Sequence, residues 1–200
     1  MKGEGMPNLA SFTLPKGAAA WPHLHRPSYT FNDAGTYEVT LAVPLKDAEP
    51  VIKKLQALAK KVTGSELPPA KNSCWKMETD QTTGEETGRV LFRAAAKNQR
   101  RNDGTIWDRK PKVVDSKLNP MIRDVTSGSE IVVAVGVWHY TKPQNGINLQ
   151  LNGVQVIQLA ENTDALSMFK ERDGFEEDAA SAVASPQPNT DTQEIGDYNF

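Results

Sequence analysis

Two hundred residues with 38% hydrophobic content suffice for one cored domain with attached tails, and are too few for two full domains. A mean hydropathy of -0.53 fits one folded body with polar, poorly ordered ends. The formal net charge of -2 conceals a split. Of the 23 Lys and Arg, 22 precede residue 171, together with 17 of the 25 Asp and Glu, so residues 1–170 carry +5 and residues 171–200 carry -7. That asymmetry points to a polyanion-binding body with an acidic tail, against the plainer reading that the charge serves solubility.

In chain order, Ser11–Leu14 reads as a short strand ended by Pro15, and Trp21-Pro22 and Arg26-Pro27 mark an extended irregular segment. After Gly35, Tyr37, Val39, Leu41 and Val43 alternate with Glu38, Thr40 and Ala42, the pattern of a half-buried strand. Asp47 is placed to cap a helix with Pro50 in its first turn. Val51, Leu55, Leu58 and Val62 then recur at helical spacing, and Gly64 stops it. Residues 66–88 read as a long loop with a brief strand near Trp75, and a strand runs from Arg89 to about Lys97. A polar turn, Gln99–Gly104, leads to extended stretches at Ile106–Trp107 and Lys112–Asp115. The strongest strand is Ile131–Tyr140, and Asn145-Gly146 is a hairpin signal before a returning strand, Ile147–Leu159, in which Gly153 marks a bulge or bend.

Five or more strands with one amphipathic helix predict a mostly β chain and suggest a small five-stranded barrel of the OB type, although periodicity alone does not select that fold. The expected division is a body over residues 1–165 and a flexible acidic tail over 166–200, the end of which is expected to be disordered. Cys74 is the only cysteine, which excludes an intrachain disulfide and fits a reducing compartment. Met1–Ala10 lacks the apolar run of a secretory signal, and the longest apolar run, Ile131–Trp138, is too short to span a bilayer. A soluble intracellular protein without a membrane partner is therefore expected.

Enzymatic signatures are sparse. There is neither a phosphate-cradling Gly-rich loop ending in Lys-Ser/Thr nor a Gly-x-Ser-x-Gly elbow. Nothing local marks Cys74 as a nucleophile. His23 and His25 lack the Cys/His partners of a closed zinc set, so neither a metal nor a cofactor is expected. Asp108, Asp115, Asp124 and Glu130 leave a two-metal nuclease open as a rival, since spacing cannot show convergence.

A binding role matches the residues better. Single-strand binders combine a cationic groove with exposed rings on which bases stack, each worth about 1–3 kcal/mol. Between residues 93 and 112 stand Arg93, Lys97, Arg100, Arg101, Arg109, Lys110 and Lys112, with Trp107 among them and only Asp103 and Asp108 opposing. The plain alternative is a solvated hairpin. Trp21, Tyr29, Trp75, Trp107, Trp138 and Tyr140 sit mostly beside polar or basic neighbours, and alternation puts Trp138 and Tyr140 on one strand face. Each ring remains a candidate for the core as well as for stacking, whereas Phe92, in an apolar stretch, is assigned to the core.

The segment Lys112-Val113-Val114-Asp115-Ser116-Lys117 followed by Met121 resembles part of the phage single-stranded DNA-binding proteins of replication modules. So do Gly128-Ser129 leading into a strand that ends in Tyr140, and Ile147–Leu151 with Val154, Val156 and Leu159-Ala160-Glu161. The final match is the acidic end, Asp197-Tyr198-Asn199-Phe200. This resemblance implies an OB-fold that coats single strands during replication and recombination in the cytoplasm of an infected bacterial host, without catalysis. It implies a groove at Lys97, Arg100, Arg101 and Lys112, and a tail (Glu176, Glu177, Asp178, Asp197 and Phe200) that docks replication proteins such as a polymerase or helicase-primase. Self-association is left open. A phage β-rich structural or assembly protein, which would not need the charge split, and an RNA-binding OB domain are the remaining alternatives.

Overall fold

In the computed structural model the described residues are 8–66, 74–141 and 145–160. They form β1 (Asn8–Thr13), β2 (Gly17–Ser28), β3 (Thr36–Pro44), α1 (Leu45–Thr63), β4 (Trp75–Thr79), β5 (Glu86–Lys97), β6 (Gln99–Arg100), β7 (Ile106–Trp107), β8 (Lys112–Val114), β9 (Glu130–Tyr140) and β10 (Gly146–Gln158). The expected boundary near residue 165 and all five tail residues, Glu176, Glu177, Asp178, Asp197 and Phe200, lie outside the described residues.

The pairings close a circuit of five strands: β2 with β3, β3 with β5, β5 with β10, β10 with β9, and β9 back to β2. All are antiparallel except β5–β10. Gly17 pairs directly with Ile131. Stepping the other way round, from Val43 opposite Val90 and through the parallel pair to β9, arrives instead near Tyr140, an offset of about ten residues. Such stagger is what a sheet of strongly tilted strands acquires on closing. The remaining strands attach outside this circuit: β1 along β9, β4 along β5 and β8 along β10.

Alternation delivers the core. Tyr37, Val39, Leu41 and Val43 from β3, Val90, Phe92, Ala94 and Ala96 from β5, and Leu149, Leu151, Val154 and Val156 from β10 are buried, as are Ile131, Val133, Val135 and Val137 from β9. Each fully buried large aliphatic contributes about 1.5–3 kcal/mol. The helix closes on a left-handed Gly64, whose N–H bonds Lys60 O at 3.0 Å. Its start differs from expectation. Pro44 is the N-cap, without a side-chain bond, and Asp47 lies inside the first turn, where its charge suits the helix dipole. Ala48, Leu55 and Ala59 are buried, with Val51, Ile52, Leu58 and Val62 packed partly against the core.

Two further expectations are corrected. The Trp21–Pro27 segment is no irregular connection; it belongs to a twelve-residue strand whose register slips between Ala20 and His23 and again before Ser28, which accommodates both prolines. Gly146 belongs to β10 and pairs with Tyr140. A side chain there would meet Tyr140 Oη at 2.6 Å, so this glycine makes room for a ring. At Gly153 the register shifts as anticipated, and β10 takes up β8 as a neighbour. The Gly128-Ser129 pair fastens β9 to β2: Gly128, at φ +89°, donates to Ala19 O at 2.8 Å, and Ala19 N–H donates to Ser129 O at 2.8 Å. Among the described residues no helix is long and apolar enough to cross a membrane.

Candidate nucleic-acid interface

The outward face of the circuit is assembled by register. Gly136, Gln150, Ala95, Glu38 and His23 line up in one row across β9, β10, β5, β3 and β2. Side chains alternate, so Trp138 and Arg93 share this face one step to one side, and Lys97 lies one step to the other. Trp138 is half-buried and flattened: its Nε1 lies 3.0 Å from where a Gly136 side chain would begin. Tyr140 lies further along the same face of β9, over Gly146. Arg93 is exposed, but its Nη2 and Nε reach Glu38 Oε2 at 2.6 and 3.1 Å. Its charge is therefore largely matched inside the protein.

Past Lys97 the chain turns at Asn98, one of the buried polar residues. The hairpin β6–β7 follows, pairing Gln99 with Trp107 and Arg100 with Ile106. Asp103 accepts from Thr105 N and Oγ1 at 2.9 and 2.6 Å, bonds that fix the tip and hold this carboxyl below the usual range. Arg100 and Arg101 are exposed, and neither forms an ion pair among the described residues. Trp107 is 47% exposed, with the Arg109 guanidinium 5.2 Å from its ring centroid. The β2–β3 connection adds Tyr29 and Phe31, the latter 92% exposed. The two segments are tied together. Asn98 Nδ2 and N–H donate to Ala34 O and Gly35 O, each at 3.0 Å, while Arg109 N–H donates to Asn98 Oδ1 at 2.8 Å. Beneath them Tyr37 reaches the same end. Burial, then a hydrogen bond and charge from Asp108, and a contribution from Tyr29 push its phenol up to about 12.

Lys110 leads away from this end into a shallow groove of about 310 Å³ that it lines with His25, Arg26, Met121, Ile122 and Asp124. His25 Nε2 bonds Met121 O at 2.8 Å, and its Nδ1 faces Asp124 at 3.6 Å. Lys112 is exposed on β8, and the Lys112–Lys117 segment continues into a turn held by Asp115, which accepts from Lys117 N and Asn119 N at 2.8 and 2.9 Å.

Of the residues singled out from sequence, Tyr29, Lys97, Arg100, Arg101 and Trp107 come together at one end of the circuit, with Lys110 adjoining. Arg93, Trp138 and Tyr140 lie on the outward sheet face that leads to it. Trp21 is exposed but stands at the β2 bulge, with φ +47° and its N–H on Ser127 Oγ at 3.1 Å, beside the connection into β9. Trp75 is a correction: only 6% exposed and packed in the core, it cannot offer a face to a base. Its polar neighbour Lys76 misleads, because adjacent strand residues point to opposite faces. Phe31 and Asn98 were not foreseen. The signal for Phe31 was a large ring in a turn-like stretch, Thr30-Phe31-Asn32-Asp33, outside any apolar alternation.

The acidic residues of the nuclease alternative do not converge. Asp108 serves Tyr37, Asp115 its own turn, Asp124 faces His25, and Glu130 pairs with Lys16 at 3.0 Å. Among the described residues no three His, Cys, Asp or Glu gather as a metal site. Cys74 is buried, which pushes its thiol up to about 12, away from nucleophilic character.

No protein-family model and no curated protein sequence matches the chain. Solved structures do. The single-stranded DNA-binding protein gp2.5 of bacteriophage T7 aligns at TM-score 0.58 and 20% identity, over 84% of this chain and 97% of that one. The C-terminally truncated single-stranded DNA-binding protein of bacteriophage Enc34 aligns at 0.57 and 16%, over 76% and 87%. The Enc34 protein in complex with single-stranded DNA aligns at 0.55 and 16%, over 76% and 89%. The five-strand circuit with its attached strands and helix thus shares the fold of the T7 and Enc34 single-stranded DNA-binding proteins.

Proposed function

We propose that this chain binds and protects single-stranded DNA, largely without regard to sequence and without catalysis. One observation carries the reading: exposed rings (Tyr29, Phe31 and Trp107) and cations without a carboxylate partner among the described residues (Lys97, Arg100 and Arg101) gather at one end of a fold shared with proteins that bind single strands. Cations there hold phosphates, and rings take up base faces that a duplex keeps stacked inside. Arginine serves both roles, since its planar group chelates phosphate and lies flat on bases. The bases are not read by hydrogen bonding, so sequence matters little.

The acidic end belongs to the same proposal. Residues 171–200 carry -7 opposite a +5 body, so the tail competes with DNA for the cations at high local concentration. DNA displaces it and frees Phe200 to dock replication proteins such as a polymerase or helicase-primase. Replication and recombination in the cytoplasm of an infected bacterial host is the setting this implies. The test is fluorescence anisotropy with labelled oligo-dT, a duplex of equal length and oligo-rU, each followed by incubation with magnesium. Tight binding of oligo-dT, weak binding of duplex and uncut strands are expected. Equal affinity for duplex rejects strand selection, preference for oligo-rU makes this an RNA-binding domain, and cleavage makes it a nuclease.

A further inference from the structure

We propose that the β2–β3 loop and the β6–β7 hairpin are the two arms of a clamp that closes on a single unpaired base between Phe31 and Trp107, and that Asn98 is the positioning residue that sets their spacing. The inference rests on the single-strand reading and adds to it a defined base site.

Phe31 is 92% exposed. Trp107 carries the Arg109 guanidinium 5.2 Å from its ring centroid and is 47% exposed, and the exposed part of the ring is where a base would stack. The arms come from segments some seventy residues apart, and the buried side chain of Asn98 touches both. Asn98 donates to Ala34 O of one arm and accepts from Arg109 N–H, two residues beyond Trp107, in the other. From the loop side Asn32 Nδ2 donates to Asn98 O at 3.2 Å and to Gly35 O at 2.8 Å, closing the joint. Gly35, at φ +89°, lets the loop fold back, and Tyr29 packs against it so closely that a side chain there would lie 3.1 Å from Tyr29 Cε1. Tyr29 therefore braces the loop while Phe31 projects. A hydrogen-bonded amide has fixed directions, so this joint fixes the two backbone segments that carry the rings in a way that apolar packing would not.

The test is a double-mutant cycle on surface positions that leave the fold intact. Phe31→Ala and Trp107→Ala are each expected to weaken oligo-dT binding about 5- to 150-fold, the span of one stacked base. Because one base needs both rings, Phe31→Ala/Trp107→Ala is expected to be no more than about threefold weaker than the poorer single variant, showing coupling between the sites. A double variant weaker by the product of the two singles overturns the clamp, as does either single variant binding like wild type. Asn98→Ala supplies the second arm. It is expected to abolish quenching of Trp107 by oligo-dT while the salt dependence of binding, set by the cations, stays unchanged. Retained quenching overturns the positioning role, and if this variant does not fold the surface cycle decides alone. Failure of wild type to bind oligo-dT would instead remove the underlying reading.

Discussion

The salt dependence of binding distinguishes cations that meet phosphate from cations already satisfied inside the protein. Arg100 and Arg101 are exposed on the hairpin without a carboxylate partner among the described residues, whereas Arg93 is held by Glu38 at 2.6 Å. Each phosphate neutralised on a single strand contributes about 0.7 to the slope of log affinity against log salt. Arg100→Ala/Arg101→Ala should therefore reduce the slope by about 1.4. Between about 50 and 200 mM salt, wild type should lose roughly sevenfold more affinity than this variant. Glu38→Gln/Arg93→Gln removes a pair of zero net charge and should leave the slope unchanged. Both variants are read by anisotropy with oligo-dT at four or five salt concentrations. Thermal unfolding should show the surface arginine variant within about 0.5 kcal/mol of wild type. An unaltered slope in Arg100→Ala/Arg101→Ala, or an equal fall on removing the Glu38–Arg93 pair, would refute the assignment of phosphate contacts to the hairpin.

Gly17→Ala puts a methyl group against the backbone oxygen of Ala42 on β3, so a loss of about 1–3 kcal/mol is expected in urea unfolding; stability within about 0.5 kcal/mol of wild type would deny the tight approach of β2 to β3. Tyr37, raised to about 12 from a model-compound value of 10.0, binds its proton more tightly folded than unfolded. Its stabilisation is complete below about pH 10 and lost as the pH climbs towards 12, and Tyr37→Phe should flatten that part of the stability profile; an identical profile in the variant would speak against the shift. Deleting residues 171–200 should tighten oligo-dT binding, chiefly at low salt, and unchanged or weaker affinity would count against tail competition.

The elements legible in the sequence are those whose side chains alternate against one core. β3, β9, β10 and α1 follow from runs such as Tyr37, Val39, Leu41, Val43, because burial of one face leaves its period in the chain. β2 is hidden, since Pro22 and Pro27 resemble breakers until the register shifts absorb them. Closure is hidden as well, because the pairings of Gly17 with Ile131 and Leu149 with Ala94 are non-local and leave no local trace. At the site, the cations of the hairpin were legible as a run of charge. Whether each was free was not: Arg93 and Arg100 look alike until Glu38 appears opposite. Trp75 shows the same limit for rings, because polar neighbours along a strand describe the other face. Asn98 was invisible since a buried amide is defined by partners far apart in sequence, Ala34 and Arg109.

The most direct measurement follows Trp107 itself. In a Trp21→Phe/Trp138→Phe variant only Trp107 and the buried Trp75 still emit. Titration with oligo-dT is predicted to quench the exposed indole in step with the rise in anisotropy, and added salt to restore it. Emission that stays constant while anisotropy saturates would show that the strand binds elsewhere and contradict the account.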